Sequence, residues 1–321
     1  MHRRLAALTL LLSMATPFAQ AQTFPDRPVR LVVPFAAGGA VDFVARLIGP
    51  ELGTRLGQPV VVENRTGAAG AIGAQAVARA APDGTMLLMA PITSLSMLAG
   101  LPGSNVPFDL DRDFAPVALV GAVPLVVVVH PTVPARTLGE LIAHARRNPG
   151  QLSFASAGIG STEHLSAELL MSMSGARMVH VPYRGGAPAM MDVVGGQVQV
   201  MVATSPTVMQ SGGTGVRALA IATARRSAAL PDVPTAAEAG LAGYEVSTIY
   251  AVLAPAGTPA DRIARLNREI VAAVRQDQVV ERLRQQGIDP TPSTPAEAGA
   301  AVRSEMTRWA EVIRAAGITG P

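Results

Sequence analysis

Two glycine-rich segments contain the residues whose types and spacing could support chemistry. The first covers residues 34–42 and the second residues 156–162, and in each an apolar run ends, glycines follow and a helical pattern begins. The free N–H groups and the positive dipole end of a helix start favour an anion, and glycine lets a ligand approach the backbone closely. One such segment is also typical of a plain tight turn. Two of them at matching positions favour a carboxylate-type anion site.

Polar side chains accompany both turns. Ser156 ends the strand before the second turn, and Ser161 and Thr162 add hydroxyl groups to it. Asp42 lies early in the first helix, where an acidic side chain stabilises the helix start. We expect it to bond the N–H groups of the turn and hold the loop in shape. His164 could contact a ligand or act as an acid–base group, but capping or packing at the helix start is the plainer interpretation.

Sequence motifs of common enzyme classes are absent from the chain. It contains no G-x-S-x-G nucleophile elbow, no G-K-[ST] phosphate loop and no H-E-x-x-H pair. Five histidines without cysteine show no metal-ligand spacing. Ser161 and His164 are the candidates for a secreted hydrolase, but the sequence identifies no acidic partner for them. We therefore predict no enzyme activity, no catalytic residue, no metal and no cofactor.

Alternating strand-like and helix-like runs would position the two turns. Strands are predicted at 29–34, 60–63, 85–90, 151–156, 178–182 and 198–203, with a buried strand in the apolar run 117–129. Helices are predicted over 41–56, 68–80, 163–174, 188–195, 259–276 and 295–316. The βαβαβ order implies parallel strands covered by helices. Because a turn, a helix and a strand lead to Arg65 and again to Arg184 at nearly the same spacing, the chain is predicted to form two similar α/β lobes.

The first residues have the order of a secretory signal peptide. Residues 1–4 carry positive charge, residues 5–18 are mostly apolar, and residues 19–21 form a small-x-small cleavage site. The apolar run is shorter than the roughly 20 residues of a membrane-spanning helix. We predict that residues 1–21 are a signal peptide cleaved after Ala21, and that the mature chain is periplasmic.

Composition narrows the possible functions. A chain of 321 residues with 49% hydrophobic residues can build two packed cores, and without cysteine it has no disulfides. Its net charge is +3, its arginines are scattered and only 3% of its residues are aromatic. Nucleic-acid binding is therefore disfavoured, because it needs a basic patch or stacking platforms.

Short segments in order along the chain match the pattern of one family. They are FPDRPVR at 24–30, VPF at 33–35 with GG at 38–39, Asp42 and AR at 45–46, VENR at 62–65 with GAAG at 67–70, PDG at 82–84, GIGST at 158–162 with HL at 164–165 and EL at 168–169, VPYRG at 181–185 with APA at 187–189, GQV at 196–198, LPDVPT at 230–235 and APAGTP at 254–259. Together they resemble the Bug proteins, the substrate-binding subunits of tripartite tricarboxylate transporters.

The resemblance implies the fold. It implies an α/β, two-lobed periplasmic binding protein of type II, in which each lobe is a mostly parallel sheet flanked by helices and the chain crosses between the lobes twice. The first lobe would contain residues 22–125 and 250–321, and the second residues 126–249. A small carboxylate would bind between them, gripped by both loops and partly through ordered waters, while its far end sets specificity.

The resemblance also implies the ligand contacts. By position they are Phe35, Ala37, Gly38, Gly39 and Asp42 in the first loop, Ser156, Gly158, Gly160, Ser161, Thr162 and His164 in the second, and Thr93, Ser94, Tyr183, Arg184, Thr204, Ser205 and Tyr250 elsewhere in the cleft. A salt bridge that braces the lobes is an equal alternative for Arg184. Val41 stands where the family often has Ser or Thr, and Ile249 where it usually has Trp. Both departures favour a ligand with a modest apolar end.

The implied function is capture by hinge closure. The protein, a monomer, would close on the carboxylate and deliver it to membrane permease subunits. The ligand-bound form could instead report to a two-component sensor kinase, and the sequence does not separate these two partners.

Overall fold

The computed structural model describes residues 24–212 and 215–319. In chain order the strands are β1 Val29–Val33, β2 Val60–Asn64, β3 Met86–Pro91, β4 Phe114–Val129, β5 Ser153–Ser156, β6 Val179–Pro182, β7 Val200–Thr204, β8 Arg217–Ile221, β9 Ser247–Pro255 and β10 Asp289–Pro290. The helices are α1 Ala40–Leu56, α2 Ala71–Ala78, α3 Ile92–Gly100, α4 Leu138–Arg147, α5 Thr162–Ser174, α6 Gly186–Val194, α7 Ser205–Gln210, α8 Ala260–Val274, α9 Asp277–Gln285 and α10 Pro295–Ala315, and a 3-10 turn spans Ala68–Gly70. The predicted signal peptide lies outside the described residues.

Each lobe is built on a mixed sheet. In the first, β2, β1 and β3 are parallel, and β9, β4 and β10 add antiparallel pairs. In the second, β6, β5 and β7 are parallel, and β4 and β8 add antiparallel pairs. The predicted two-lobed α/β class is confirmed, with more antiparallel pairing than predicted. The extra pairs involve the strands that cross between the lobes and two short strands, β8 and β10.

Two strand segments carry the chain between the lobes. β4 pairs with β9 up to Pro124, which lies opposite Ser247, and pairs with β7 from Leu125 onward. On the return, the Val246 N–H bonds Ala222 of the second lobe at 2.9 Å, directly before β9 enters the first sheet. The sheets therefore meet at 124/125 and 246/247, near the predicted lobe bounds, which stay a prediction.

The C-terminal helix contacts both lobes. Val302 packs with Ala251 and Leu253 of the first lobe. Further along α10, Trp309 is buried in a cluster that includes Leu165 of the second lobe. The helix thus spans the two lobes, although the sequence assigned residues 250–321 to the first. Within the described residues, no helix combines the length and the apolar character needed to cross a membrane.

Two helical glycines should respond oppositely to alanine. A Cβ at Gly73 would lie 2.8 Å from the Arg65 carbonyl oxygen and 2.9 Å from Cα of Pro34, so backbone would have to move. We expect Gly73→Ala to lower the free energy of unfolding by about 1–3 kcal/mol. Gly139 is exposed in α4 with no atom within 4 Å of an added Cβ. Gly139→Ala should therefore raise that free energy by up to about 1 kcal/mol, because alanine favours helix.

Urea unfolding of both variants measures the difference. A Gly73→Ala chain as stable as the parent would contradict the close packing of α2 against the first loop.

Candidate functional site

A small cavity lies between the lobes, at the carboxyl ends of the parallel strands. Its volume is about 30 Å³, and it is lined by Phe35, Gly39, Ala40, Val41, Pro91, Ser94, Ala157, Thr162, Glu163, Gly186, Thr204, Thr207, Thr248 and Tyr250. This volume holds only one or two waters. A ligand larger than this therefore requires the walls of the cavity to lie further apart than they do here.

Helix starts from both lobes converge on the cavity. Its lining includes Ala40 at the start of α1, Ser94 in the first turn of α3, Thr162 at the start of α5 and Gly186 at the start of α6. The first N–H groups of a helix have no partner within the helix, and its dipole places positive potential there. No lysine or arginine is among the described residues that line the cavity. Its attraction for an anion therefore comes from backbone and hydroxyl groups.

Three residues of the cavity wall have a buried hydroxyl group without a partner in the described part of the chain. They are Ser94, Thr162 and Thr248, each about 2% exposed. A buried hydroxyl without a hydrogen bond costs roughly 1–3 kcal/mol, so such groups are rare in folded proteins. Three at one cavity indicate a site for a polar ligand. Ser94 and Thr162 were among the predicted contacts, whereas Thr248 was not, because a lone threonine in a strand has no distinguishing pattern.

Asp42 shapes the first loop, as the sequence predicted. One carboxylate oxygen accepts the Gly38 N–H at 3.0 Å and Nε of Arg46 at 2.9 Å, and the other accepts Nδ2 of Asn64 at 2.9 Å. Burial raises the pKa of Asp42, but the hydrogen bonds from Arg46, Gly38 and Asn64 outweigh it and leave the pKa below its usual range. The ionised carboxylate thus fixes the turn that precedes α1.

The second loop is supported from behind by two stacked histidines. The ring centroids of His164 and His180 are 4.0 Å apart. His164 Nδ1 accepts the Gly160 N–H at 3.1 Å, and His180 Nε2 lies 2.6 Å from the Ser156 hydroxyl oxygen. Burial lowers the pKa of His164 to about 3, assisted by His180, and burial lowers that of His180 to about 4. Both rings are therefore neutral near pH 7, and they hold Ser156 and Gly160 in place.

Ser161 and His164 do not form a nucleophile–base pair. The Ser161 hydroxyl accepts the backbone N–H of His164 at 3.3 Å and caps α5. The acceptor nitrogen of the His164 ring is occupied by Gly160. The plainer interpretation of His164, packing at the helix start, agrees with this geometry.

Other predicted contacts have protein partners. The Thr93 hydroxyl donates to Glu305 Oε2 and accepts the Ile249 N–H at 3.0 Å. The Ser205 hydroxyl donates to the Gln286 carbonyl at 2.9 Å. These two side chains brace the walls of the cleft and do not line the cavity. Ile249 also lies outside the lining, whereas Val41, the other departure from the family pattern, is part of it.

Tyr183 and Arg184 lie beside the cavity. With Gly158 they line an adjacent groove of about 180 Å³ that faces the first-lobe loop 67–70. The Tyr183 hydroxyl donates to Asp192 Oδ2 at 2.6 Å. Arg184 is exposed, and no carboxylate of the described residues forms an ion pair with it, so the alternative of a lobe-bracing salt bridge has no support here.

The predicted site residues thus separate into groups. Those that line the cavity are Phe35, Gly39, Ser94, Thr162, Thr204 and Tyr250. Those that shape or brace its walls are Asp42, Thr93, Ser156, Gly160, Ser161, His164 and Ser205. Ala37 and Gly38 are exposed and do not line the cavity. Their roles in ligand binding stay a prediction, and the geometry favours the first group for direct contact.

Glu163 is a cavity residue that the sequence analysis missed. It is 8% exposed and lines the cavity, and its Oε1 lies 3.6 Å from the position of a Cβ built on Gly186. Burial raises the pKa of its carboxyl group. An acidic residue in the first turn of a helix is ordinary, so its type and position alone do not distinguish it. Only the folded arrangement, which places Gly186 of α6 and Tyr250 of β9 around the same cavity, shows that it is enclosed.

Comparisons with known proteins extend over nearly the whole chain. The model of the tripartite tricarboxylate transporter family receptor, TctC, matches residues 44–318. Protein BugT of Bordetella pertussis (strain Tohama I) is 39% identical over 321 residues, covering 99% of this chain and 98% of BugT.

Two solved structures of Rhodopseudomonas palustris proteins are also similar. One, with adipate, has a TM-score of 0.87 and 35% identity, and the match covers 92% of this chain and 99% of that chain. The other, MatC with bound malate, has a TM-score of 0.85 and 37% identity, covering 90% of this chain and 100% of that chain.

The histidine pair should make stability depend on pH. The ordinary histidine pKa is 6.5, whereas the folded values are about 3 for His164 and about 4 for His180. Between pH 6.5 and the lower pKa values of the folded state, the unfolded chain binds protons that the folded chain does not. The free energy of unfolding therefore falls as the pH decreases from about 6.5. We expect the melting temperature to fall between about pH 7 and 4, with a smaller slope in His180→Gln, which keeps a polar atom for Ser156.

His144→Gln, on α4 away from the loop, is the matched control. Equal slopes for the two variants would show that the stacked pair does not contribute to the pH dependence.

Proposed function

Because this chain belongs to the tripartite tricarboxylate transporter receptor family, we propose that it captures a small carboxylate in the periplasm and delivers it to membrane permease subunits. The resemblance to the Bug proteins is thereby confirmed. Two similar proteins were solved with adipate and malate, and both molecules are carboxylates. Delivery to a permease is proposed because the family is one of transporter receptors. Signalling through a sensor kinase, a monomeric state and cleavage after Ala21 remain predictions.

The observation that supports this proposal most strongly is the set of three unpartnered hydroxyls among converging helix starts. Hydrogen bonds to a charged group contribute about 1.5–3 kcal/mol each. Three of them approach the roughly 8 kcal/mol of a micromolar complex, before the cost of ordering and the gain from backbone N–H groups. Ser94, Thr162 and Thr248 could therefore hold a carboxylate without a cationic side chain.

Closure would be coupled to binding. The lobes touch where the Ala36 N–H bonds the Arg184 carbonyl at 3.3 Å, and where Gly158 approaches Ala69 closely enough that a Cβ would lie 3.5 Å from its Cα. Ligand entry requires these contacts to separate, with bending at the crossings in β4 and β9. A carboxylate that contacts both lobes favours the closed arrangement by its differential affinity for it. A closed, loaded form is what a permease could distinguish from an open one.

The first test of the proposal is a ligand panel. Monocarboxylates, dicarboxylates, tricarboxylates, aromatic acids and acidic amino acids are added to the mature chain, and the melting temperature is measured. At least one class should raise it, by linkage between binding and folding. If no carboxylate changes the melting temperature, the proposed function is wrong.

Two threonine variants distinguish ligand contact from bracing. Thr162→Val removes a hydroxyl without a protein partner, so it should leave the ligand-free chain at least as stable and weaken the best panel ligand about tenfold or more. Thr93→Val leaves the Ile249 N–H without a partner and removes one of the hydrogen bonds to Glu305, which keeps the one from Trp309, so it should cost about 1–3 kcal/mol of folding stability. Calorimetric titration and urea unfolding of both variants measure these effects. Unchanged affinity in Thr162→Val would remove Thr162 from the site.

A further inference from the structure

The carboxyl group of Glu163 is the one acidic group among the described residues that line the cavity. It is 8% exposed and belongs to the first turn of α5, directly after Thr162, whose hydroxyl has no partner. A ligand carboxylate held by Thr162 would therefore lie within reach of a second carboxyl group. The electrostatic interaction between the ligand carboxylate and the Glu163 carboxyl group therefore limits which ligands can bind.

The surroundings of Glu163 contain hydroxyls and helix starts but no cation. A Cβ built on Gly186 would lie 3.6 Å from Glu163 Oε1 and 3.2 Å from the Thr207 hydroxyl oxygen, so the start of α6 and a residue of α7 face this carboxyl. Tyr250 of β9 lines the same cavity, and burial and then the charge of Glu163 raise the pKa of its hydroxyl group. Within the described chain, none of the ion pairs involves Glu163.

A buried carboxylate without a cationic partner is costly, and a second nearby carboxylate raises the cost. The raised pKa of Glu163 reflects this burial. Hydrogen bonds from the Ser161 hydroxyl and the Glu163 backbone N–H lower that pKa but supply no positive charge. A monocarboxylate without a donor group would leave Glu163 without a cationic partner, and a dicarboxylate would add further negative charge. A ligand that also carries an ammonium group would instead supply the missing partner through charge-assisted hydrogen bonds.

We propose that Glu163 determines specificity, selecting small carboxylates that carry a protonated amine over those that carry a second carboxylate. The inference rests on the proposed function, since it assumes that the ligand carboxylate binds at the converging helix starts. The ammonium group would lie between Glu163 and the Thr207 hydroxyl, on the side of the cavity formed by α6 and α7.

Matched pairs of probes test this selection on the unaltered chain. 4-Aminobutyrate is compared with succinate and 6-aminohexanoate with adipate, so that a carboxylate replaces an amine at similar length. L-Aspartate is compared with L-malate, in which a hydroxyl replaces the amine. Calorimetric titration at neutral pH should show at least one amine-bearing probe binding about tenfold or more tightly than its partner, the difference expected of one charge-assisted hydrogen bond.

Glu163→Gln provides the second arm, because it removes the charge and keeps the shape. The preference for the amine should fall by about tenfold or more, mainly through weaker binding of the amine-bearing probe. Glu269→Gln is the matched control: it alters a carboxyl group that is 9% exposed but lies on α8, where it pairs with Arg265 and Arg268 away from the cavity. That variant should keep the preference of the parent chain. The comparison on the unaltered chain stands even if a variant does not fold.

The outcomes separate this inference from the proposed function. If succinate and adipate bind as tightly as 4-aminobutyrate and 6-aminohexanoate and Glu163→Gln leaves these ratios unchanged, the inference is wrong while carboxylate capture stands. If dicarboxylates bind more tightly and Glu163→Gln preserves that preference, Glu163 acts as a neutral hydrogen-bond donor, and the inference is also wrong. If no probe of any class binds, the proposed function itself fails.

Discussion

The proposed site depends on one electrostatic constraint, which is that an anion would be held where no described lining residue carries a cationic side chain. Parallel strands in each lobe end at the same edge of their sheet, so the helices that follow all begin there. When the two edges face each other, the starts of α1 and α3 meet those of α5 and α6. The positive ends of these helices can attract a carboxylate only while the lobes stay together and water is excluded. Fold and closure are therefore parts of the same site.

Backbone N–H groups can bind a ligand well only if the loops that carry them are rigid. Several polar side chains near the cleft make hydrogen bonds that hold these loops in place. The Asp42 carboxylate fixes the first turn through Gly38 and Asn64. The neutral His164 ring fixes the second turn through Gly160, with His180 stacked against it. Each of these groups has protein partners, in contrast to the unpartnered hydroxyls of the cavity wall.

The features that depend on local pattern were predictable from the sequence. The glycine turns and apolar spacing located α1 and α5 within one residue of their observed starts, Ala40 and Thr162.

Helix α3 was not predicted, because most of its residues are buried and it lacks a polar face, and α7 is too short for periodicity. The change of partner along β4 at Pro124 and the enclosure of Glu163 depend on non-local packing. For the same reason the family resemblance suggested Tyr183 as a cleft residue but did not show its bond to Asp192.

In the proposed site, the groups that would bind the ligand carboxylate differ from the side chains that would determine specificity. The grip relies on backbone geometry that Asp42 and the histidine pair maintain from behind the loops, so a substitution in the cavity wall need not disturb it. Val41 and Glu163 both lie in the wall, and neither makes the hydrogen bonds through which Asp42 and His164 hold the loops. Because helix starts and hydroxyls contribute no formal charge, one ionisable side chain such as Glu163 dominates the charge balance of the closed cavity. If the proposed site is correct, a fold of this kind could change ligand class through one residue without altering the hydrogen bonds that hold its two loops.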